Sequence, residues 1–183
     1  MNGKAALPDG ATLHFGGAGQ RWRVGPDGAA EAAGELAEED LVDVTRAADG
    51  AWLFVGAQGR ILEAKEPLGP FVRSSAPPEL VRRSSAKGDR VLSVTVAGGL
   101  LRSADGGRTF SRLGDSSTRY ADALFLGGGT ADDVVALTLP ERLWRSSDGG
   151  DTFVPVERPP VGGTGLVKTP DGAMITGYYG SFP

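Results

Sequence analysis

The sequence contains two eight-residue segments that share one pattern. Residues 103–110 and 146–153 both read Ser-x-Asp-Gly-Gly-x-Thr-Phe, and they lie 43 residues apart in a chain of 183 residues. A motif that recurs at a spacing of about 40 residues is typical of solenoids and propellers, in which each repeat is one supersecondary unit. The chain is therefore predicted to be a repeat protein.

The repeat extends beyond the octapeptide. When the chain is aligned with itself in steps of about 40 residues, an apolar column falls just before the motif, at residues 20–23, 60–63, 99–102 and 142–145. A second apolar column lies upstream, at residues 11–15, 51–55, 90–94, 134–138 and 173–177. Its members follow turn sequences such as Pro8-Asp9-Gly10. Asp-Gly between apolar runs favours a β-hairpin, because glycine tolerates a positive φ. Both columns are therefore predicted to be strands.

These two columns, with one strand before them and one after, predict four strands per unit. Four strands in about 40 residues make one blade of a β-propeller. The predicted fold class is all-β, a β-propeller with four blades plus a half blade. The single domain, 1–183, divides at about 1–40, 41–80, 81–120 and 121–160, with the half blade at 161–183. An unfinished blade exposes a strand edge that can pair with another chain, and Tyr178 and Tyr179 are the candidate residues at that edge.

Both octapeptides resemble the Asp-box, or BNR, repeat of the sialidase-type propeller family. In this the chain is similar to propellers of the photosystem II assembly factor and sortilin type. The octapeptides match every defined position of the Ser-x-Asp-x-Gly-x-Thr-Phe/Trp pattern. Units one and two contain degenerate copies of the octapeptide, at residues 24–28 and at residues 64–66 with the aromatic Phe71. The resemblance implies a propeller of four-stranded blades, whereas activity does not follow from fold.

The chemistry of the octapeptide favours a structural role. A carboxylate in a Gly-Gly turn can accept hydrogen bonds from backbone amides, and short hydroxyl side chains add local bonds. Calcium binding is the less favoured alternative, because Ca²⁺ takes about six or more oxygen ligands. No metal or other cofactor is predicted. The candidate structural residues are Ser103, Asp105, Gly107, Thr109 and Phe110 in the first octapeptide and Ser146, Asp148, Gly150, Thr152 and Phe153 in the second.

Composition agrees with one soluble β-domain. The chain has 29 Gly and 12 Pro, which suits frequent turns, and no Cys, which excludes disulfides and thiolate metal sites. Its formal net charge of −4 argues against nucleic acid as the main ligand. Neither a transmembrane helix nor a secretory leader is visible. The protein is therefore expected to be intracellular, or secreted after processing.

Candidate catalytic residues are few. His14 lies between Leu13 and Phe15 and is interpreted as a histidine on a strand face rather than a metal ligand. Two charged groups are interpreted as solvated segments between elements. They are the acidic group Glu38, Glu39, Asp40 and Asp43, and the basic group Arg82, Arg83, Lys87 and Arg90.

The sialidase hypothesis needs an arginine triad, a Tyr/Glu pair and an acid aspartate, as the resemblance implies for the family's enzymes. The early Arg-Ile-Pro motif of those enzymes is missing. The repeat itself accounts for the arginines of the column before the motif, Arg21, Arg60, Arg102 and Arg145. The chain is thus predicted not to be an enzyme but a binding or assembly module for a protein or glycan. A protein partner or a second copy is predicted to complete the unfinished blade. The alternative is a fragment or subunit of a sialidase-like hydrolase whose catalytic residues lie elsewhere.

Overall fold

The fold consists of antiparallel sheets. The computed structural model describes residues 3–32, 39–126, 130, 132–140, 142–156, 165–169 and 172–176. These residues form four sheets of four strands and one two-stranded hairpin. The first sheet contains β1 (Gly3–Ala6), β2 (Thr12–Phe15), β3 (Arg21–Val24) and β4 (Ala30–Ala32), and the second contains β5 (Leu41–Arg46), β6 (Trp52–Gly56), β7 (Ile61–Ala64) and β8 (Phe71–Ser75). The third sheet contains β9 (Val81–Lys87), β10 (Arg90–Thr95), β11 (Leu100–Ser103) and β12 (Ser111–Leu113). The fourth contains β13 (Arg119–Phe125), β14 (Val134–Leu139), β15 (Arg142–Ser146) and β16 (Val154–Pro155). The hairpin is β17 (Gly165–Thr169) with β18 (Gly172–Thr176).

Each sheet is a meander whose strands pair in sequence order. The register is equivalent from sheet to sheet, because Leu13 pairs with Arg23, Leu53 with Glu63, Leu92 with Arg102 and Val135 with Arg145. The two apolar columns of the sequence are therefore the second and third strands of every complete sheet. This confirms the prediction of repeated four-stranded units.

The apolar core lies between the sheets. One cluster joins the first two sheets through Leu13, Phe15 and Phe54, and another joins the third and fourth through Leu92 and Phe125. Every residue of β6 is buried, because this strand is covered on both faces. Since a sheet buried on both faces needs a neighbour on each side, the stability of the sheets is collective.

The first strands of successive sheets contact one another: β1 lies against β5, β5 against β9, β9 against β13, and β13 against β17. This arrangement is that of propeller blades side by side around an axis. The predicted class, an all-β propeller with four blades and a half blade, is confirmed. The exact unit boundaries remain predictions, and Tyr178 and Tyr179 lie outside the described residues.

Two interpretations of charged segments are wrong in part: Asp40 is exposed between elements as predicted and Glu38 lies outside the described residues, but Glu39 and the basic residues of β9 do not form solvated loops. Glu39 is buried and its carboxylate accepts a hydrogen bond from the Gln58 amide, so it is not a solvated loop residue. The basic group lies largely in strand β9, and Arg83 reaches the next two sheets. Both segments lie where neighbouring blades meet, which a single chain's charge pattern does not reveal. Among the described residues, no helix has the length and apolarity needed to cross a membrane.

Candidate functional site

The first octapeptide forms a hairpin turn around the Asp105 carboxylate. Its Oδ1 accepts hydrogen bonds from the Ser103 hydroxyl at 2.7 Å and from the Thr109 amide at 2.9 Å, and its Oδ2 accepts one from the Thr109 hydroxyl at 2.6 Å. The Gly107 amide donates to Ser103 Oγ at 2.8 Å. Partial burial by itself raises the pKa of Asp105, but these donors outweigh it and hold the pKa well below its ordinary value.

The second octapeptide repeats this geometry. Asp148 accepts hydrogen bonds from the Ser146 hydroxyl at 2.7 Å and from the Thr152 amide at 2.9 Å, and the Gly150 amide donates to Ser146 Oγ at 2.8 Å. The hydroxyls of Ser146 and Thr152, with the backbone, hold the pKa of Asp148 below its ordinary value. The same side chains thus occupy the same places in two blades.

The aromatic residue that ends each octapeptide packs between blades. Phe110 lies against the apolar cluster between the second and third sheets, and Phe153 against the cluster between the third and fourth. The Phe153 ring lies 6.0 Å from the ring of Tyr120. Each hairpin therefore contacts the preceding blade as well as its own.

An open cleft lies at one end of the first two sheets, where their turns meet. Its volume is about 400 Å³, a size that suits a small ligand or a few side chains of a peptide. Leu7, Trp52, Pro67 and Leu68 supply its apolar lining. Trp52 is buried and forms part of the core beneath the cleft.

Charged residues of both signs frame the cleft. Arg23 forms an ion pair of 2.7 Å with Asp9, and this hydrogen bond lowers the pKa of Asp9 and raises that of Arg23. The Arg46 guanidinium lies 5.9 Å from the Trp52 ring and donates to the Gly50 carbonyl at 3.2 Å. Glu66 is exposed at the rim. Two acids and two arginines make the rim neutral in sum, so it favours polar ligands with both donors and acceptors.

Arg21 is almost fully buried, at 1% exposure. Its Nη1 donates to the carbonyls of Pro67 and Gly69, both at 3.0 Å. Its guanidinium stacks 4.5 Å from the Phe71 ring centroid, and burial lowers the pKa of Arg21 to about 10. Arg21 therefore joins the first two blades.

Two aspartates in first strands also join blades, and the sequence analysis assigned neither this role. Asp43 Oδ2 accepts the Ala86 amide at 2.8 Å, and Asp122 Oδ2 accepts the Leu166 amide at 2.7 Å. Each follows a register shift in its strand. The interpretation of Asp43 as a solvated charge is therefore wrong. The sequence signal that could have indicated this role is a single aspartate within an otherwise apolar strand.

Within the described part of the chain, no group of three or more His, Cys, Asp or Glu side chains is arranged to hold a metal ion. His14 lies in β2, as predicted, with Nε2 3.0 Å from the Thr12 hydroxyl. The arginines of the column before the motif have different partners: Arg21 contacts Pro67, Arg60 lies 3.7 Å from Glu39, and Arg102 contacts Gly149. They take part in separate contacts along the blades.

No protein-family profile and no curated protein sequence matches the chain. Solved structures do. YCF48 bound to D1 peptide is similar over 93% of this chain and 58% of its own, with 18% identity and a TM-score of 0.65. YCF48 from Cyanidioschyzon merolae is similar over 90% and 59%, with 19% identity and a TM-score of 0.61.

A third similar structure is an enzyme. Virginiamycin B lyase from Staphylococcus aureus matches over 89% of this chain and 58% of its own, with 12% identity and a TM-score of 0.61. The chain thus spans a little under three fifths of the length of these structures. At such identities the likeness concerns the fold, and a fold hosts both binding proteins and enzymes. By fold, the chain is a β-propeller.

Proposed function

We propose that this chain is a non-catalytic β-propeller that binds a protein partner, and that the cleft between the first two blades receives a peptide segment of that partner. The cleft is the observation that carries the proposal. It combines an apolar floor with a rim of paired charges, which is the composition of a site that recognises a peptide by side-chain burial and backbone hydrogen bonds. The peptide-bound propeller among the similar structures supports this choice.

We further infer that the hairpins of Asp105 and Asp148 are Asp-box turns with a structural role. In this proposal their carboxylates close the turns, and the phenylalanines fix the hairpins on the blades. The internal hydrogen bonds of the two carboxylates support this, because acceptor atoms that are already used locally are poorly placed to act on a ligand. We do not propose sialidase activity for this chain.

Selection of peptides tests the proposed cleft. A display library of random twelve-residue peptides is selected on the purified chain, and the enriched peptides are measured by calorimetry against Leu68→Glu. We expect affinity to fall at least about tenfold, because the variant places a charge on the apolar floor. Leu80→Glu is the matched control, since Leu80 is 82% exposed and does not line the cleft.

The outcome is decided by the two leucine variants together. Thermal unfolding of both must first show that they fold. Peptides that bind Leu68→Glu as tightly as the unchanged chain, or that lose affinity equally for Leu80→Glu, would overturn the cleft as the binding site.

A further inference from the structure

The turn beside the cleft is the degenerate octapeptide of the second blade. Residues 64–71 align with residues 103–110, which makes Glu66 the counterpart of Asp105. The Asp105 carboxylate is used within its own turn, where it accepts hydrogen bonds from two hydroxyls and two amides. The second blade thus carries a carboxylate at the same position, but in a different turn sequence.

The Glu66 carboxylate is not used by its turn. The hydroxyl residues of the pattern are replaced by Ala64 and Pro70, whose side chains donate no hydrogen bond. Pro70 also lacks the backbone N–H that Thr109 donates to Asp105 in the intact turn. Within the described part of the chain, the Glu66 carboxylate accepts no hydrogen bond and forms no ion pair. It is exposed and lines the cleft.

A second change in the same blade places a cation at the cleft. Arg46 pairs across strands with Trp52. The equivalent pairs of the third and fourth blades are apolar and buried: Ala86 with Val91, and Phe125 with Val134. The exposed Arg46 guanidinium lies over the Trp52 ring and donates to the Gly50 carbonyl. Among the residues that the structure describes, it has no carboxylate partner.

The cleft is bounded by described residues of two blades that follow each other in the chain. At the next junctions the turn rests on the preceding blade, because a Cβ added at Gly107 would lie 2.6 Å from Ile61 and one added at Gly150 would lie 2.8 Å from Leu113. In the second blade Leu68 replaces the first of these glycines and lines the cleft. The opening is therefore a property of this junction and not of a blade edge.

Four charged residues line the cleft, and two of them satisfy each other. Asp9 and Arg23 form the ion pair of 2.7 Å. Arg46 and Glu66 remain, one cation and one anion, beside an apolar floor. Electrostatic complementarity favours a ligand that brings the opposite charge to each, and a ligand with like charges at these places is disfavoured.

We propose that the cleft selects a peptide segment in which one apolar side chain lies between an acidic and a basic one. The carboxylate of the segment pairs with Arg46, its cationic group pairs with Glu66, and its apolar side chain enters the floor at Leu68. The two neighbours of a residue in an extended peptide lie about 7 Å apart, so both charges can be met in one cleft of about 400 Å³. This inference rests on the proposed function, because it names the ligand chemistry of the same cleft.

Peptide selection on charge-reversed variants tests the inference. The probe is the library of random twelve-residue peptides, selected in parallel on the unchanged chain, Glu66→Lys and Arg46→Glu. On the unchanged chain we expect enriched peptides to carry an acidic and a basic residue beside an apolar one. Glu66→Lys should replace the basic residue by an acidic one, and Arg46→Glu should replace the acidic residue by a basic one.

Two charge reversals away from the cleft are the matched controls. They are Glu79→Lys and Arg142→Glu, at positions that do not line the cleft. We expect both to enrich the same peptides as the unchanged chain. The same change of peptide composition in the controls as in the cleft variants would overturn the inference.

Affinity measures the size of the effect. Calorimetry of the peptides enriched on the unchanged chain should show a loss of at least about fivefold for Glu66→Gln and for Arg46→Gln. The loss should shrink at about 1 M salt, where charges are screened beyond about 3 Å. Because both side chains are exposed, the variants should unfold at the temperature of the unchanged chain.

The outcomes separate this inference from the proposed function. Peptides that lose affinity for Leu68→Glu, but whose charges and affinities do not respond to the variants at positions 46 and 66, would overturn the charge selection and leave the cleft as a peptide site. Peptides that bind Leu68→Glu unchanged, or the absence of any enriched peptide, would overturn both.

Discussion

The Asp122 carboxylate accepts the backbone amide of Leu166, which belongs to the next sheet, at 2.7 Å. Its other oxygen accepts the Ala123 amide at 2.8 Å, and Arg83 of the preceding sheet lies 3.3 Å away. One buried side chain thus connects three sheets. Asp43 makes the equivalent bonds to Val44 and Ala86, so the device occurs twice around the axis.

Asp122→Ala is expected to lower the free energy of unfolding by about 3–5 kcal/mol, because it leaves buried donors without their charged acceptor. Asp122→Asn keeps an acceptor and should cost less. Chemical denaturation of the two variants measures the difference. Equal stability of Asp122→Ala and the unchanged chain would contradict the role of Asp122 in joining blades.

The difference in stability between the unchanged chain and Asp122→Asn should depend on pH in a defined direction. Burial raises the pKa of Asp122, against the opposing effects of the Leu166 amide and Arg83. The folded state therefore holds this proton at pH values where the unfolded chain has released it. The stability of the unchanged chain relative to Asp122→Asn should fall as the pH rises from 3.8 through the raised pKa, and a rise in that window would contradict the assignment.

Asp105→Ala is expected to destabilise the chain by about 1–3 kcal/mol, because the Arg108 and Thr109 amides lose their acceptor. Asp148→Ala should act in the same direction. The lowered pKa of Asp105 adds a pH test: its stabilisation is present above 3.8 and is lost as the pH falls toward the lower folded-state value. Glu31→Ala, an exposed carboxylate variant, is the control in the same denaturation series.

Gly107→Ala and Gly28→Ala form a matched pair, because φ is +83° at Gly107 and +82° at Gly28. Both variants carry the cost of a positive φ, about 1–2 kcal/mol. At Gly28 the added Cβ meets nothing within 4 Å, whereas at Gly107 it lies 2.6 Å from Ile61. Gly107→Ala should therefore be less stable than Gly28→Ala by a further amount of about 1–3 kcal/mol. Equal melting temperatures would show that the turn does not rest on the preceding blade.

Arg21→Ala is expected to cost about 2–5 kcal/mol, because it leaves a cavity beside Phe54 and Phe71 and removes the donor of two carbonyls. Arg142→Ala, an exposed arginine of the same repeat column, should change the free energy of unfolding by less than about 1 kcal/mol. Similar values for the two variants would remove the distinction between Arg21 and the solvated arginines.

The repeat architecture follows from the sequence alone. Strand periodicity, Asp-Gly turns and the spacing of the octapeptides are local signals, and local signals decide which residues form strands and how the strands of one blade pair. They placed the second and third strands of the four complete blades correctly. They also placed His14 on a strand.

Contacts between blades were decided only by the tertiary structure. Glu39, Asp43, Arg21 and Arg83 look like ordinary solvated charges in the sequence, yet each is bonded to a residue of a neighbouring element or blade. Their partners lie between 19 and 83 residues away along the chain, and no local pattern specifies which distant residue a side chain meets. The cleft arises for the same reason, because its walls belong to two blades whose approach depends on the packing between their sheets.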